Sequence, residues 1–351
     1  MTSTVSADFA ALQLALPELA PGDELVLRED DGKACALLRQ KRGTPRNFVF
    51  ENGSLRELSL RDDAALPAAA LCADETALCD ALRPAFGDVR EPQLVAWRPS
   101  KRAVLRMRRG DETVYVKLLD KKTWKRAKAA LERMQSIEAP LRFALPSALL
   151  PDLCAYVANG VSGVALHDTL AAGQSPSWRL VDRAVRALAC AACPDDLPRH
   201  DFASARDSAV KMLTKARNVD PRCTEIAQRV AQLAGPRQSH EGFVHGDLHD
   251  KQLFLDGSIA WLIDLEGAGR GDANFDLVNL AEHLRLRALQ RTGKDDGLCD
   301  AMLDRFAIAR EVRMAWSACI RARLFGVYAM RPRQAALANV LHSDASRALS
   351  H

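Results

Sequence analysis

The stretch that decides the fold runs His245-Gly246-Asp247-Leu248-His249-Asp250-Lys251-Gln252, then Leu253-Phe254-Leu255, Asp256-Gly257-Ser258 and Ile259-Ala260-Trp261-Leu262-Ile263-Asp264. It reads as a polar loop, a strand, a tight turn and a second strand ending in a lone carboxylate. Apolar runs on both sides of Asp-Gly are a strong short-range hairpin signal. A hairpin here returns Asp264 to the neighbourhood of Asp247 and Gln252. Two carboxylates and a side-chain amide oxygen at one point form a hard-oxygen set suited to magnesium. When a phosphoryl group passes to an alcohol, one Asp takes the hydroxyl proton while an amide and a second Asp hold the metal. The segment matches that arrangement in order and spacing, with Asp247 as the catalytic candidate and Gln252 and Asp264 as metal ligands.

The rest of the chain is compatible with a soluble enzyme. Its 351 residues suit two or three structural units with a sizeable core. A 48% apolar and 27% charged composition is ordinary for a globular protein. No uninterrupted apolar run reaches the roughly 18 residues of a membrane span. The N-terminus lacks a basic start, and its apolar stretch from Phe9 to Ala20 is broken by Gln13, Pro17 and Glu18. A signal peptide is therefore not expected. Nine cysteines, an odd number without a framework, suit a reducing cytoplasm. Cys190-Ala-Ala-Cys193 has redox or zinc spacing, but no second pair or nearby His completes a site, and Pro194 marks a helix end there.

The net charge of +4 says little about partners, but its distribution says more. Between Arg98 and Arg133 stand thirteen Lys or Arg against four Asp or Glu. A solvated helix face with basic strand edges is the simplest account. Nucleic-acid binding calls for interleaved aromatic residues, and Trp97 and Trp124 are too few. Part of this charge suits a nucleoside triphosphate.

Along the chain, residues 1–70 form a β-rich extension. Glu24–Arg28, Ala34–Leu38, Asn47–Phe50 and Leu55–Leu60 alternate like strands and are separated by Asp31-Gly32, Gly43-Thr44-Pro45 and Asn52-Gly53. Arg61–Ala70 reads as a linker and Leu71–Phe86 as a helix. The next unit, 71–158, has strands at Leu94–Trp97, Ala103–Met107 and Thr113–Leu119, then a helix from about Lys122 to Glu138. Trp124, Ala127, Leu131 and Met134 give that helix one buried stripe. Leu153–Val157 reads as a further strand. From 159 to 351 the pattern is helical apart from the hairpin.

Lys117, inside an apolar strand, is either a surface lysine or a phosphate-binding one held by an acidic partner on the next helix. Glu132 and Glu138 are the two candidates for that partner, and Glu132 is preferred. The Arg98-Pro99-Ser100-Lys101-Arg102 turn contains no glycine, yet its amides with Lys101 or Arg102 are suited to a phosphate. His245 reads as a loop-packing residue, His249 as an acceptor contact, and Glu266 as a helper to the metal or acceptor. Asp276 fits an N-cap before an amphipathic helix, with hydrogen bonding to the catalytic loop as a second role.

These residues together resemble the aminoglycoside phosphotransferase and choline kinase superfamily, which shares the protein-kinase-like fold. The resemblance spans roughly residues 71–340. It rests on Lys117, His245-Gly-Asp-Leu-His-Asp-Lys-Gln252, Ile263-Asp-Leu-Glu266 and Gly271-Asp-Ala-Asn-Phe-Asp276. It implies an α+β, bilobal architecture, with a small β-rich lobe over a larger helical one and Mg-ATP between them. It further implies a linker strand at about Ala155–Ala158, where Tyr156 and Val157 contact adenine. Asp247 becomes the catalytic Asp, and Asp264 with Gln252 holds magnesium. Two features depart from the pattern: the usual Asn is Gln252, and the phosphate loop lacks glycine.

The leading expectation is thus a cytoplasmic, magnesium-dependent kinase that uses ATP, or alternatively GTP. It would phosphorylate a hydroxyl of a sugar, amino alcohol or aminoglycoside-like molecule. Asp195, Asp196 and Asp207 are candidates to face a cationic acceptor. One rival is a pseudokinase-like module that binds nucleotide without turnover, suggested by Gln252 and the missing glycines. Another is a metal-dependent hydrolase built on His245, Asp247 and His249, with His283 as the one further His well placed.

Overall fold

The computed structural model describes residues 4–30, 32–40, 43–134, 140–237 and 240–350. The chain divides into two compact units. One comprises Met1–Lys128, Leu145–Gly160 and Arg331–Arg333; the other comprises Ala129–Ala144, Val161–Met330 and Gln334–His351.

The first unit begins with helix α1 (Thr4–Ala15), which the broken apolar pattern did not announce. An antiparallel meander follows: β1 (Glu24–Asp30), β2 (Lys33–Arg39), β3 (Arg46–Glu51) and β4 (Ser54–Leu58). Asn52 and Gly53 turn β3 into β4 with φ of 51° and 76°, the left-handed pair that a two-residue hairpin loop requires. The segment expected to be a linker is ordered. It forms two short 3-10 turns and buries Leu66, Ala68 and Ala69.

Helix α2 (Glu75–Phe86) starts later than its apolar content suggests, because Asp74 caps it by accepting from the Thr76 and Ala77 amides. Then come β5 (Arg90–Arg98), β6 (Arg102–Arg109) and β7 (Glu112–Leu119). Helix α3 (Lys121–Leu131) follows, and then β8 (Leu141–Phe143), which belongs to the second unit. With β9 (Pro146–Leu150) and β10 (Ala155–Asn159) the first unit completes a five-stranded antiparallel sheet in the order β5-β6-β7-β10-β9. Strand alternation sends Val114, Val116, Leu118, Ala155 and Val157 into one core with Leu78, Leu82 and Phe86 of α2. Lys117 points the other way.

Helix α3 is shorter than its apolar stripe. The Arg133 guanidinium takes the Ala129 carbonyl at 2.6 Å, and the Arg133 amide falls back to Ala130. The α-helical ladder therefore stops at Leu131, although Met134 is still buried. Glu132 lies in the turn beyond and is exposed. Glu138, the other candidate partner for Lys117, lies outside the described residues.

The second unit carries more strand than the helical pattern implied. Its elements are β11 (Val164–Ala165), α4 (Leu166–Ala171), α5 (Trp178–Ala189), β12 (Arg199–His200), α6 (Phe202–Ala216), α7 (Arg222–Ala231) and β13 (Glu241–Val244). They continue with β14 (Leu253–Asp256), β15 (Ile259–Leu262), β16 (Gly269–Asp272), α8 (Asn274–Thr292), α9 (Leu298–Arg305), α10 (Arg310–Ala329) and α11 (Ala335–Ala348). The strands form two small sheets, β11-β14-β15-β8 and β12-β16-β13. Gly271 permits the second of them, since a Cβ there would lie 2.0 Å from the His200 carbonyl oxygen. Trp316 of α10 is buried and donates Nε1–H to Asp272 Oδ2 at 2.9 Å, joining α10 to the start of α8. Cys190 and Cys193 follow α5 and are unbridged. No helix among the described residues is long and apolar enough to cross a membrane.

The former linker also shapes the β5–β6 turn. Asp63 Oδ2 accepts from Trp97 Nε1 at 3.0 Å and from the Ser100 amide at 2.8 Å, and Asn47 of β3 donates to the Trp97 carbonyl. Ser100 sits at φ 59°, a conformation usually left to glycine. The carboxylate thus holds a glycine-free turn in a shape that its sequence disfavours. Replacing Asp63 by Ala leaves a buried indole N–H and a strained amide unpaired, a loss of about 1–3 kcal/mol. Urea unfolding of Asp63→Ala should show a lower midpoint at unchanged slope, and an unchanged midpoint would mean that the turn does not need this brace.

Candidate active site

The loop His245–Gln252 joins β13 to β14, and hairpin β14–β15 returns the chain with Leu253 opposite Leu262. The Ile263 amide donates to the Gln252 carbonyl at 3.1 Å, so Asp264 leaves the hairpin beside Gln252. Gly257 turns the hairpin at φ 56°. Asp264 adopts φ 64° and ψ 44°, a left-handed conformation uncommon outside glycine and tolerated best by Asn and Asp. Glu266 follows in a short 3-10 turn and is half-buried.

The loop is held residue by residue from α8. Asp276 accepts from the His245 amide at 2.5 Å and from the Gly246 amide at 3.1 Å. Asn279 donates to the Leu248 carbonyl at 2.7 Å. The His283 ring lies 4.9 Å from that of His249, and Arg287 grips Asp250 with Nε at 2.6 Å and Nη2 at 3.3 Å. Spacings of three, four and four residues put these side chains on one stripe of the helix. Asp276 is not the N-cap that its position suggested: Ala273 holds that place, and Asp276 sits in the first turn, facing the loop. Gly246 fits because φ is 86° and a Cβ would meet His200 Cε1 at 2.9 Å.

His245 is spent on the backbone. Its Nε2 pairs with the Ile263 carbonyl at 2.9 Å, and its Nδ1 accepts from the Asp247 amide at 3.4 Å. Both ring nitrogens are thus engaged, where the hydrolase reading needs one of them for a metal; among the described residues no three His, Cys, Asp or Glu side chains are grouped to hold one. The donor set at Gln252 and Asp264 is amide plus carboxylate oxygen, which fits a hard divalent cation. Gln252 Oε1 accepts from the His249 amide at 3.1 Å, and an amide oxygen keeps a second lone pair for another partner.

Asp247 is half-exposed, and Arg323 of α10 donates to its Oδ1 at 2.9 Å. Its low-dielectric surroundings push the carboxyl up, but Arg323, His249 and His283 outweigh them and hold it below the usual range. Asp250 is fully buried; Arg287 and His167 overcome that burial and keep it well below the ordinary value. Burial moves the His249 ring down and the His283 ring well down.

In the first unit, Lys117 of β7 stands opposite Tyr156 of β10, with its Nζ 5.5 Å from the ring centroid. The Val157 side chain faces the apolar core instead, and its backbone lies between β7 and β9, with the carbonyl accepting from Ser147 Oγ at 3.3 Å. Lys101 and Arg102 lie exposed at the braced turn. The carboxylates proposed to meet a cationic acceptor are engaged at the surface: Asp195 with Arg270, Asp196 with Arg133 and Asp207 with Arg206. Sequence reasoning missed Asp250, Arg287, Asn279, His167 and Arg323. The polar stripe along an otherwise apolar α8 was a readable signal for the middle members; nothing local marks Arg323.

The sequence matches the model of the phosphotransferase enzyme family over residues 40–310, and the chain belongs to that family. Solved structures of similar fold include choline kinase from Cryptosporidium parvum Iowa II, 11% identical, with a TM-score of 0.52 over 79% of this chain and 96% of that one. An apo thermostable mutant of aminoglycoside phosphotransferase APH(4)-Ia is also 11% identical, with a TM-score of 0.51 over 78% of this chain and 98% of that one. Choline kinase LicA from Streptococcus pneumoniae gives 0.50 at 11% identity, over 79% and 98%. A comparison with functionally curated proteins gave no match. The protein is therefore a phosphotransferase-family member with the α+β, protein-kinase-like fold, a β-rich N-terminal region and a helical C-terminal part.

Asp276 offers a test of the loop's anchoring. Burial pushes its carboxyl up to about 6, against the pull of His245 and the backbone amides it binds. A folded-state value above the unfolded one means that the native state holds the proton more tightly. Its contribution is then complete below about pH 4 and is lost as pH rises to about 6, by up to about 3 kcal/mol. Asp276→Asn has no such slope, though it is weaker at every pH for want of an acceptor. The stability gap between wild type and variant, measured by denaturant titration, should narrow as pH rises through that window. A widening gap would mean that the loop stabilises the ionised form.

Proposed function

We propose that the protein is a kinase that transfers the γ-phosphoryl group of ATP, with magnesium, to a hydroxyl of a small molecule. The observation that carries this reading is the Asp247 carboxylate, ionised and half-exposed on a backbone fixed by α8, with one oxygen taken by Arg323. Oδ2 is the atom that receives the acceptor hydroxyl. Because the carboxyl is held low, Asp247 orients the hydroxyl first. It takes the proton late, as bonding to phosphorus makes that hydroxyl acidic. Asp250, paired with Arg287 and His167, keeps the loop in register without meeting the acceptor.

Gln252 and Asp264 would hold magnesium, with Glu266 assisting; when bound, the ion neutralises charge on the phosphates. Lys117 is the phosphate-binding candidate of the first unit, and the Tyr156 ring on the same face of the sheet suits an adenine. Lys101 and Arg102 add positive charge at the braced turn, and Glu132 is the proposed partner for Lys117. GTP is the alternative donor to test. Sugars, amino alcohols and aminoglycoside-like molecules are the acceptor classes at issue, and a cytoplasmic location suits the reducing environment that nine unbridged cysteines require.

A thermal-unfolding comparison tests the nucleotide site. A ligand that binds only the folded state adds about 2.7 kcal/mol at a hundredfold excess over Kd. Wild type should gain a magnesium-dependent rise in melting temperature with ATP or GTP, and Asp264→Ala should lose it. No rise with either nucleotide at about 10 mM, roughly tenfold above the top of the usual KM range, would end the kinase reading. Asp247→Asn should keep the rise but lower turnover about 10²–10⁴-fold. A wild type that binds nucleotide yet never transfers phosphate to any acceptor would favour the non-catalytic module.

A further inference from the structure

Three nitrogen-bearing side chains, Arg323, His249 and His283, lie close enough to act on Asp247. Arg323 donates through one guanidinium nitrogen to Oδ1, and its side chain is 26% exposed, so the remaining N–H groups can meet solvent or a ligand. The rings of His249 and His283 lie 4.9 Å apart, tilted at 32°. His283 is only 8% exposed, and neither ring nitrogen has a hydrogen-bond partner among the described residues. Asp250 Oδ1, 4.0 Å from its Nδ1, already serves Arg287. A buried polar group without a partner calls for an explanation, and an absent ligand is one.

The acidic groups that would receive a cation are committed elsewhere. Asp250 serves Arg287 and His167 and Glu282 holds Arg321 through both oxygens, whereas Asp195, Asp196 and Asp207 stand at the solvated surface beside arginines. An amine placed beside the Asp247 hydroxyl site would face Arg323 directly, and like charges at that range exclude a partner.

We propose that the acceptor carries a carboxylate or a phosphate close to the hydroxyl that is phosphorylated, bound by Arg323 and His283 with His249 beside them. This rests on the reading of Asp247 as the residue that receives that hydroxyl. A guanidinium presents paired donors that match the oxygens of either anion. A neutral imidazole still donates one N–H. The anion shares Arg323 with Asp247, which places the neighbouring hydroxyl at the open Oδ2. The inference narrows the acceptor to acidic or already phosphorylated small molecules, such as a sugar acid or a sugar phosphate, and away from amino alcohols and aminoglycosides.

The experiment uses matched sets that differ only in the charged group: glycerol, glycerate and glycerol 3-phosphate; glucose, glucuronate and glucose 6-phosphate; and choline and hygromycin B as cations. Melting temperature is read with magnesium and a non-hydrolysable ATP analogue, and ADP release with ATP. At least one anionic member should raise the melting temperature above its neutral counterpart and show a KM at least about tenfold lower. The carboxylate and phosphate arms decide between the two anions. Arg323→Gln should erase that KM advantage while keeping the nucleotide-induced shift, and Arg323→Lys should restore part of it. The inference is overturned if no anion binds better than its neutral partner, if a cation is preferred, or if Arg323→Gln leaves the KM ratio of each anion to its neutral partner unchanged. Absence of the nucleotide-induced shift in wild type would instead sink the kinase reading, so the two failures are distinguishable.

Discussion

One buried polar stripe organises the site. Asp276, Asn279, His283 and Arg287 lie along α8, and each meets the next residue or two of the loop that runs from His245 to Asp250. A loop of this composition has no ladder to hold its backbone, and its buried amides and carbonyls must find partners. The helix provides them in order because a rise of 1.5 Å per residue lets a three- and four-residue spacing track an extended chain. The hairpin that carries Gln252 and Asp264 is anchored in turn, since His245 bonds the Ile263 carbonyl. The α8 stripe therefore sets both halves of the unit's chemistry.

The charge state of the loop follows from the same contacts. Asp250 is wholly buried yet ionised, because Arg287 and His167 compensate its desolvation. Asp247 is held low against the desolvation of its surroundings chiefly by the Arg323 guanidinium. Asp276 is the exception, raised by burial, with no cationic side chain bonded to it. Two carboxylates three residues apart thus have different surroundings, one buried between Arg287 and His167 and one half-exposed beside Arg323. The environment distinguishes them, since the side chains are identical.

Membership of the phosphotransferase family sits beside local departures from it. The β5–β6 turn has no glycine, and Ser100 keeps its positive φ with help from Asp63, a residue of the segment that precedes the sheet. The N-terminal meander contributes as well, through Asn47. The segments before the sheet are therefore part of the unit that carries Lys117, packed into its core through Leu60, Leu66 and Ala69, and the family match itself begins at residue 40. A turn stiffened from outside tolerates sequence that a free glycine loop would not.

The sequence by itself determined the elements that depend on near neighbours. Asn52-Gly53 and Asp256-Gly257 marked their hairpins because left-handed backbone is a local requirement, and alternation marked β1 to β7 because one face must be apolar. The loop from His245 to Gln252 was legible because its order of residue types suits one chemistry. Tertiary structure decided what depends on distance. Arg133 ended α3 by reaching a carbonyl, although the apolar stripe continued to Met134. Asp276 looked like a cap in sequence and became a loop anchor, since only the packing of α8 against the loop brings their atoms together. Arg323 lies seventy-six residues from Asp247 in the chain and 2.9 Å from it in space. No local pattern encodes that approach, and it is the contact that decides how the catalytic candidate is charged.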